Sequence, residues 1–499
     1  MTESESNPQK SKNRLRQGSL GVAAITFFVI SAAAPLTGIA GGTPVGMLLG
    51  NGAGVPFAFL LITLLLLVFS VGYTRIARYI NNAGSFYAFA SQGFNGRIGA
   101  ATAYTAMLAY ITMQIGLYGL FGAVTEGTIG ALFGLYLPWY LYAGFCVLLI
   151  SIMGYRKIEL SMKILTLLVI LEYLAVFILD LLIVGKGGAS GNGIGMTSFS
   201  LHALLSGTPI LGFLLCFASF MGFESTTIYS EEAREPKKTV PRATYAAVLA
   251  IGIFYTVTTW LMVEGAGAER LVETIAGLKT PDGVPDPTLF IYSLTDKYAG
   301  SWLTLPIQLL FVSSLFAALL AFHNATSRYF YVLGREGLLP SHLGHTHEIH
   351  QSPHKSSIMQ TIISILFVAL FALSGIDPVL GMFTWMTNTG TLAIISIMAL
   401  VSFAISSYSL RMSDQGKEFF TMSVMPVFAG VLMTMIAVLV SRNFDILIGA
   451  DPAKPYTVVM AYLLPLSVPA AAVFGFIIGS ILAKRNPSAY RELGKNQID

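Results

Sequence analysis

Two acidic side chains lie inside long apolar stretches of the sequence, where a carboxyl group could bind and release a proton. Glu172 lies 12 residues after Leu160, about 18 Å along a helix and near the centre of a bilayer. An ionised carboxylate at this depth is costly, so it must be protonated part of the time or have a partner. Glu172 is therefore a candidate proton-coupling acid; a protonated side chain bonded to a neighbouring helix is the alternative. Asp180, nearer the end of this stretch, is expected to face water.

The other acid, Glu224, lies beside Gly222 in a stretch that predicts an interrupted helix. It could be a second titrating or gating group, or it could make a structural hydrogen bond at a helix end. An earlier stretch predicts a matching interruption, because Pro35 lacks a backbone N–H and Gly38 follows about one turn later. Matched breaks in two halves of a chain are the best sequence indication of a transporter site near the midplane. Simple kinks are the alternative.

Such breaks predict a particular binding chemistry. An opened helix presents unpaired N–H groups and the positive end of its dipole to a carboxylate. Its free carbonyls can accept hydrogen bonds from an ammonium group. Because unpaired backbone groups cost several kcal/mol in lipid, the breaks persist only where a solute, an ion or water satisfies them. The sequence therefore predicts a site for a small solute that carries an amino group.

Further polar side chains recur at depth. Tyr110, Gln114 and Tyr118 form one helix face, which could line a cavity or bond to a neighbouring helix. Ser313 and Ser314 could offer hydroxyl oxygens to a sodium ion, although serines also pack at helix interfaces. The threonine-rich run at 384–391 predicts a water-lined wall.

No cofactor or metal is expected. Cys146 and Cys216 lie in apolar runs, which indicates neither a disulfide framework nor a metal site. Five histidines share one loop, but their spacing matches no recognised metal site, so a solvated loop is expected, with a pH or metal sensor as the alternative. These are His342, His345, His347, His350 and His354.

The composition predicts an all-α membrane protein. Hydrophobic residues make up 55% of the 499 positions and charged residues 11%, against about 25% charged in soluble proteins. The lipid bilayer is the expected main partner, and the net charge of +4 gives no reason to expect nucleic acid. The gaps between apolar runs are too short for an enzyme domain. Twelve spans are predicted at about 20–50, 55–80, 98–124, 138–155, 160–184, 208–230, 241–264, 302–333, 357–374, 379–405, 421–441 and 456–483.

The basic residues predict the orientation of these spans. All but six of the 29 lysines and arginines fall on one side of them, so we expect both termini in the cytosol and the protein in the plasma membrane. The expected divisions are a tail at 1–19, a first five-helix group at 20–184, a second at 208–405, two additional helices at 421–483 and a tail at 484–499. The oligomeric state is not predicted.

At three motifs the sequence resembles the amino acid–polyamine–organocation superfamily of permeases. FMGFEST at 220–226, followed by EEAREPKKTVPRAT at 231–244, is similar to that family's sixth helix and the loop after it. LFAALLAFHNATSRYFYVLGREGLLP at 315–340 is similar to its eighth helix, and NNAGSFYAF at 81–89 resembles the segment after its second. The motifs occur in order at the right span numbers, and the resemblance covers nearly the whole chain.

The resemblance implies the leucine-transporter fold: two inverted repeats of five helices plus two additional helices, with alternating access around a central site. Backbone N–H groups of the first break would bind a substrate carboxylate, and carbonyls of both breaks would accept from its amine. Phe220 or Phe223 would close over the substrate. The implied residues are Ala32, Ala33, Thr37, Gly38, Ile39, Phe220, Met221 and Phe223, to which Gln114 is added from its helix face.

The sequence departs from the family pattern in the fifth helix. Many relatives have a lysine there, whose ammonium can stand in for a sodium ion, whereas the aligned position here is Glu172. A carboxylate could carry the proton itself, or help Ser313 and Ser314 hold a cation. The first break also lacks the commoner Gly-x-Gly pattern, which leaves the pocket size open.

The sequence therefore predicts a secondary transporter and not an enzyme. It would import a neutral amino acid between broken helices 1 and 6, coupled to protons through Glu172 or Glu224. Sodium coupling stays open. The alternatives are a polyamine or amine permease, an amino acid exchanger and, from a different class, a receptor that does not transport or a membrane enzyme.

Overall fold

The computed structural model describes residues 21–80, 84–156, 162–231, 233–350, 352–412 and 418–495. Most of these residues are helical. An isolated β-bridge pairs Lys279 with Pro285. The expected tail at 1–19 and residues 496–499 of the other tail lie outside the described part, as do parts of the motifs at 81–89 and 231–244.

Twelve helices among the described residues are long and apolar enough to cross a membrane, which confirms the predicted number. We call them spans 1 to 12. We call the face where span 1 begins and span 12 ends the terminal face, and the other the opposite face. The spans are Val22–Leu49, Gly52–Ile76, Gly96–Phe133, Trp139–Arg156, Thr166–Gly185, Pro209–Thr227, Pro236–Ala266, Ser301–Arg335, His354–Ser374, Pro378–Ser409, Phe420–Arg442 and Pro455–Arg485.

Span 5 shows why these helices need a bilayer. Its exposed positions are large and apolar, as with Leu167 and Phe177, which are 56% and 57% exposed. Its buried side carries both of its carboxylates, Glu172 and Asp180. A helix in water would show the reverse arrangement, with charges outside and leucines inside. Hydrocarbon must therefore solvate the outer side of this helix.

Spans 3 and 10 are the most enclosed helices, and small residues let their neighbours approach them closely. A Cβ at Gly390 of span 10 would lie 2.7 Å from the carbonyl oxygen of Ala109 on span 3. A Cβ at Gly475 of span 12 would lie 2.5 Å from the carbonyl oxygen of Ala100. Any side chain would push these backbones apart, and close backbone approach is how membrane helices gain packing energy.

Short helices connect the spans. Phe86–Gly93 follows span 2 on the terminal face, and Leu271–Ala276 and Leu289–Tyr298 lie between spans 7 and 8 on the opposite face. The chain thus has the all-α architecture that the resemblance implied, with interruptions in spans 1 and 6. The residue boundaries of the two five-helix groups stay a prediction.

Candidate functional site

Span 1 is interrupted in its middle. One helix ends at Ala32 and the next begins at Pro35, with Ala34 between them in the left-handed conformation at φ 44°. That conformation costs a residue with a Cβ about 1–2 kcal/mol. The N–H of Leu36 donates to Oε2 of Glu172 at 3.4 Å. Glu172 of span 5 therefore helps to hold the break open.

Span 6 is interrupted at the corresponding place. Its first helix ends at Ala218, and a 3₁₀ helix begins at Phe223. Gly222 lies between them at φ 109°, a backbone conformation that side chains rarely adopt. The carboxylate of Glu224 accepts from the N–H of Gly222 at 2.8 Å and from the hydroxyl of Tyr110 at 2.9 Å. The structure therefore has both interruptions.

A cavity lies between the two breaks. Its empty volume, measured out to the opening, is about 530 Å³. A cavity of this size suits a small solute. None of its lining residues is charged. They are Ala33, Ala34, Thr37, Gly38, Gly42, Met113, Leu117, Leu215, Ala218, Ser219, Met221, Ala318, Phe322, Phe383 and Thr387.

Four of the substrate residues implied by the resemblance line this cavity: Ala33, Thr37, Gly38 and Met221. The N–H of Gly38 donates to the carbonyl of Ala34 at 3.1 Å. A substrate carboxylate that uses this N–H would have to replace that bond.

Three other implied residues do not line the cavity. The ring of Phe220 packs 6.3 Å from that of Phe59 on span 2, and the ring of Phe223 packs 6.2 Å from that of Phe69. In this conformation neither ring covers the site, because both are buried among core aromatics. Ile39 is also buried away from the cavity lining. The side chain of Ala32 lies outside the described part of the chain.

Gln114, which was predicted from its helix face, also lies outside the lining and bonds to another helix instead. Its carbonyl oxygen accepts from the amide of Gln360 on span 9 at 2.6 Å, and its own amide donates to the hydroxyl of Tyr118 at 3.2 Å. It is fully buried. The polar face of span 3 therefore joins helices, which was one of its two sequence interpretations.

Little in the sequence pattern indicates the remaining lining residues. Phe322 of span 8 and Phe383 of span 10 supply the aromatic wall, and Met113 and Leu117 come from span 3. These side chains are of the same types as the residues of the hydrophobic core. Ala34 and Ser219, which lie next to the predicted breaks, could have been found from their positions in the sequence, and Thr387 belongs to the predicted polar run.

Glu172 joins three spans beside the cavity. It is 2% exposed, and its Oε2 accepts from the hydroxyl of Ser314 on span 8 at 2.9 Å. The hydroxyl of Thr37, which lines the cavity, lies 3.3 Å from the same Ser314 oxygen. A hydrogen-bonded path thus runs from Thr37 through Ser314 to the buried acid. Ser313 instead donates to the carbonyl of Leu310 in its own helix.

Glu224 is part of a second network near the terminal face. Its backbone carbonyl accepts from the hydroxyl of Tyr73 on span 2 at 2.8 Å. The same hydroxyl lies 2.7 Å from that of Ser85 and 2.6 Å from that of Thr227. With two donors on its carboxylate as well, Glu224 braces the second half of span 6 against spans 2 and 3.

The polar run of span 10 is mostly satisfied within its own helix. Thr387 donates to the carbonyl of Phe383, Asn388 to that of Thr384, and Thr391 to that of Thr387. Of the wall predicted from this run, only the Thr387 position faces the cavity.

Two aspartates outside the spans lie on the opposite face. Asp377 caps span 10 by accepting from the N–H groups of Val379 and Leu380. Burial raises the pKa of Asp377. Burial also raises the pKa of Asp286, and the charge of Asp377 adds to that effect. Burial therefore favours the protonated carboxyl at these two positions.

The histidine loop packs against the end of span 4. The rings of His347, His350 and His354 lie 5.4, 6.4 and 5.9 Å from that of Tyr155. Throughout the described ranges, no group of three or more histidine, cysteine, aspartate or glutamate side chains could hold a metal ion.

Comparisons with known proteins agree with the geometry. A family model described as amino acid permease matches residues 20–466. The low-affinity putrescine importer PlaP of Escherichia coli is 23% identical over 72% of this chain and 74% of its own length. The branched-chain amino acid permease BcaP of Lactococcus lactis is 25% identical over 74% of this chain and 76% of its own. Its Bacillus subtilis counterpart is 22% identical over 76% and 79%.

Proposed function

We propose a transport function for this chain, which belongs to the amino acid permease family. The chain is a multi-pass membrane transporter and not an enzyme. The finer proposal is that it imports small neutral amino acids by alternating access at the cavity between the breaks of spans 1 and 6. The terminal face is the cytosolic one in this proposal, because most lysines and arginines lie there.

The observation that carries this proposal is that the cavity is small and that none of its lining residues is charged. The polar backbone of the two breaks can meet the carboxylate and amine that all amino acids share. A charged side chain would find no opposite charge in the lining, and burying an unpaired charge is costly. The solute that fits is therefore a zwitterion with a small, apolar side chain.

Glu172 is the proposed proton-coupling group. It is buried, and Ser314 connects it to Thr37 in the cavity wall. A carboxyl that takes up a proton gains an O–H donor and becomes a weaker acceptor, so its bonds from Leu36 and Ser314 weaken. Protonation would thereby bias the position of the span 1 break. Sodium bound at Glu172 and Ser314 is the alternative way to supply that charge.

An amine permease is the second candidate function, because one relative is a putrescine importer. A diamine brings two ammonium groups and no carboxylate. The absence of an acidic side chain from the lining argues against it.

Uptake by purified protein in liposomes tests the proposal. Labelled leucine, valine and alanine are supplied with an inward proton gradient, with excess putrescine as competitor and a protonophore in a parallel sample. We expect accumulation that the protonophore abolishes and putrescine leaves unchanged. In Glu172→Gln we expect the pH-driven component to fall about tenfold or more, because a positioned proton-transfer group contributes at least that much.

Glu269→Gln is the matched control, since Glu269 is an exposed carboxylate in the loop after span 7. It should transport normally. Accumulation of putrescine instead of amino acids would favour the amine permease, and a requirement for internal substrate without any protonophore effect would favour an exchanger. Unchanged pH dependence in Glu172→Gln would remove Glu172 from the mechanism.

A further inference from the structure

A second carboxyl group lies buried on span 5, and the proposed function does not use it. Asp180 is 6% exposed, so the expectation that it faces water is wrong. One oxygen, Oδ2, accepts from the hydroxyl of Thr258 on span 7 at 2.8 Å. The other, Oδ1, is buried and has no hydrogen-bond partner among the described residues. Because only one of its two oxygens accepts a hydrogen bond, this carboxyl can still bind a proton or accept from a further donor.

The position of Asp180 relates it to Glu172. The two lie eight residues apart on the buried side of span 5, about 12 Å along the helix axis. Val176, between them, is fully buried, whereas Leu174, Phe177 and Leu181 face outward. Glu172 lies at the break, and Asp180 lies within about two turns of the opposite face.

We infer that Asp180 is the proton-binding group through which protons from the opposite face reach Glu172. One proton binds the Asp180 carboxylate and then passes along water molecules that enter between spans 5 and 7 while the opposite face is open. It reaches the Glu172 carboxylate about 12 Å away and leaves Asp180 ionised again. The inference rests on the proposed proton coupling and adds its entry route. A buried ionisable residue in a membrane span is costly, which makes a functional role the default interpretation.

The charged groups nearest to Asp180 bond to other partners, so among the described residues none of them forms an ion pair with its carboxylate. From span 7 it faces Thr258, which carries no charge. Glu264, at the end of span 7, accepts from the N–H of Gly195, and Lys297 of the Leu289–Tyr298 helix donates to the carbonyl of Gly265. On the other side lie Glu172 and, from span 8, Ser314.

The two groups that hydrogen-bond here can be changed separately. Asp180→Asn keeps an oxygen that accepts from Thr258 but cannot bind a proton. Thr258→Val removes the donor and leaves the carboxyl. In liposomes we expect Asp180→Asn to lower net pH-driven uptake about tenfold or more. Counterflow of labelled substrate at equal pH, which needs no net proton movement, should stay within about twofold of the parent protein.

The remaining variants distinguish a proton-relay role of Asp180 from a purely structural role. We expect Thr258→Val to keep net uptake and to move its half-maximal pH upward, because the carboxylate loses a stabilising donor. Asp180→Glu should recover part of the net uptake that Asp180→Asn loses. Equal losses of net uptake and counterflow in Asp180→Asn, with an unshifted pH profile in Thr258→Val, would overturn the relay.

Glu172→Gln, measured in parallel, separates this inference from the proposed function. If Glu172→Gln loses the pH response and Asp180→Asn keeps it, the relay fails and the proposed coupling stands. If Glu172→Gln keeps the pH response, the proposed coupling itself fails, and the relay fails with it.

Discussion

At the scale of single residues, the site depends on which way neighbouring side chains point. Ser313 and Ser314 are adjacent, yet successive residues on a helix point about 100° apart. Ser314 therefore reaches Glu172, whereas Ser313 bonds to its own helix. A hydrogen bond to a charged group contributes about 1.5–3 kcal/mol, and so this one donor matters for how Glu172 holds its charge.

The pair of serines gives a matched test. In Ser314→Ala we expect pH-driven uptake to fall about tenfold, because Glu172 loses its side-chain donor and Thr37 loses its partner. In Ser313→Ala we expect uptake within about twofold of the parent, since only a bond within one helix is lost. Initial rates at several external pH values measure both. Equal effects of the two changes would contradict the assigned path.

At the scale of elements, neighbouring helices hold the two breaks in place. Tyr255 of span 7 donates to the carbonyl of Pro35 at 3.4 Å, and its ring lies 6.3 Å from that of Phe220 beside the span 6 break. Its ring stacks on Phe59 of span 2, with centroids 4.9 Å apart. Gly38 makes this possible, because a Cβ there would lie 2.1 Å from the hydroxyl oxygen of Tyr255.

Adding a methyl group at Gly38 tests this arrangement. We expect Gly38→Ala to lower the apparent Tm by several degrees, because overpacking costs about 1–3 kcal/mol. We also expect it to abolish most transport, because the added methyl group would push span 1 away from span 7. Gly144→Ala in span 4 is the control, since a Cβ there meets nothing within 4 Å. A Gly38→Ala protein with parental Tm and uptake would show that spans 1 and 7 are not in close contact.

At the scale of the whole molecule, twelve spans put the start of span 1 and the end of span 12 on one face. The same face carries most of the basic residues, which predicts that it is cytosolic. The two native cysteines are free and buried, so the unmodified chain offers little background for thiol labelling.

Single added cysteines therefore test the orientation directly. Ser190→Cys lies exposed in the loop after span 5, and Ser341→Cys lies exposed after span 8. We expect a membrane-impermeant maleimide to label Ser190→Cys on intact cells, and Ser341→Cys only after permeabilisation, because span 5 ends outside and span 8 ends inside. Labelling in the reverse order would contradict the predicted orientation and place the terminal face outside.

By itself the sequence determined the class of the protein and the location of its breaks. Apolar runs long enough to cross a bilayer determine the number of spans. In lipid the backbone N–H and C=O groups find hydrogen-bond partners only within a helix, so each such run forms one. Pro35 and Gly222 fix the interruptions, because one removes a donor and the other occupies a conformation that favours glycine. The depth of Glu172 follows from the helix rise alone.

Only the tertiary structure decided which side chains face the cavity. The period of a helix relates its residues to one another, but packing against neighbours sets the rotation of the whole helix. Phe322 and Phe383 therefore line the site while Phe220 and Phe223 do not, although all four are similar apolar residues. The partner of Gln114 is 246 residues away, and the donor to Glu172 is 142 away. No local pattern could have predicted such pairs, because they exist only once the spans have assembled.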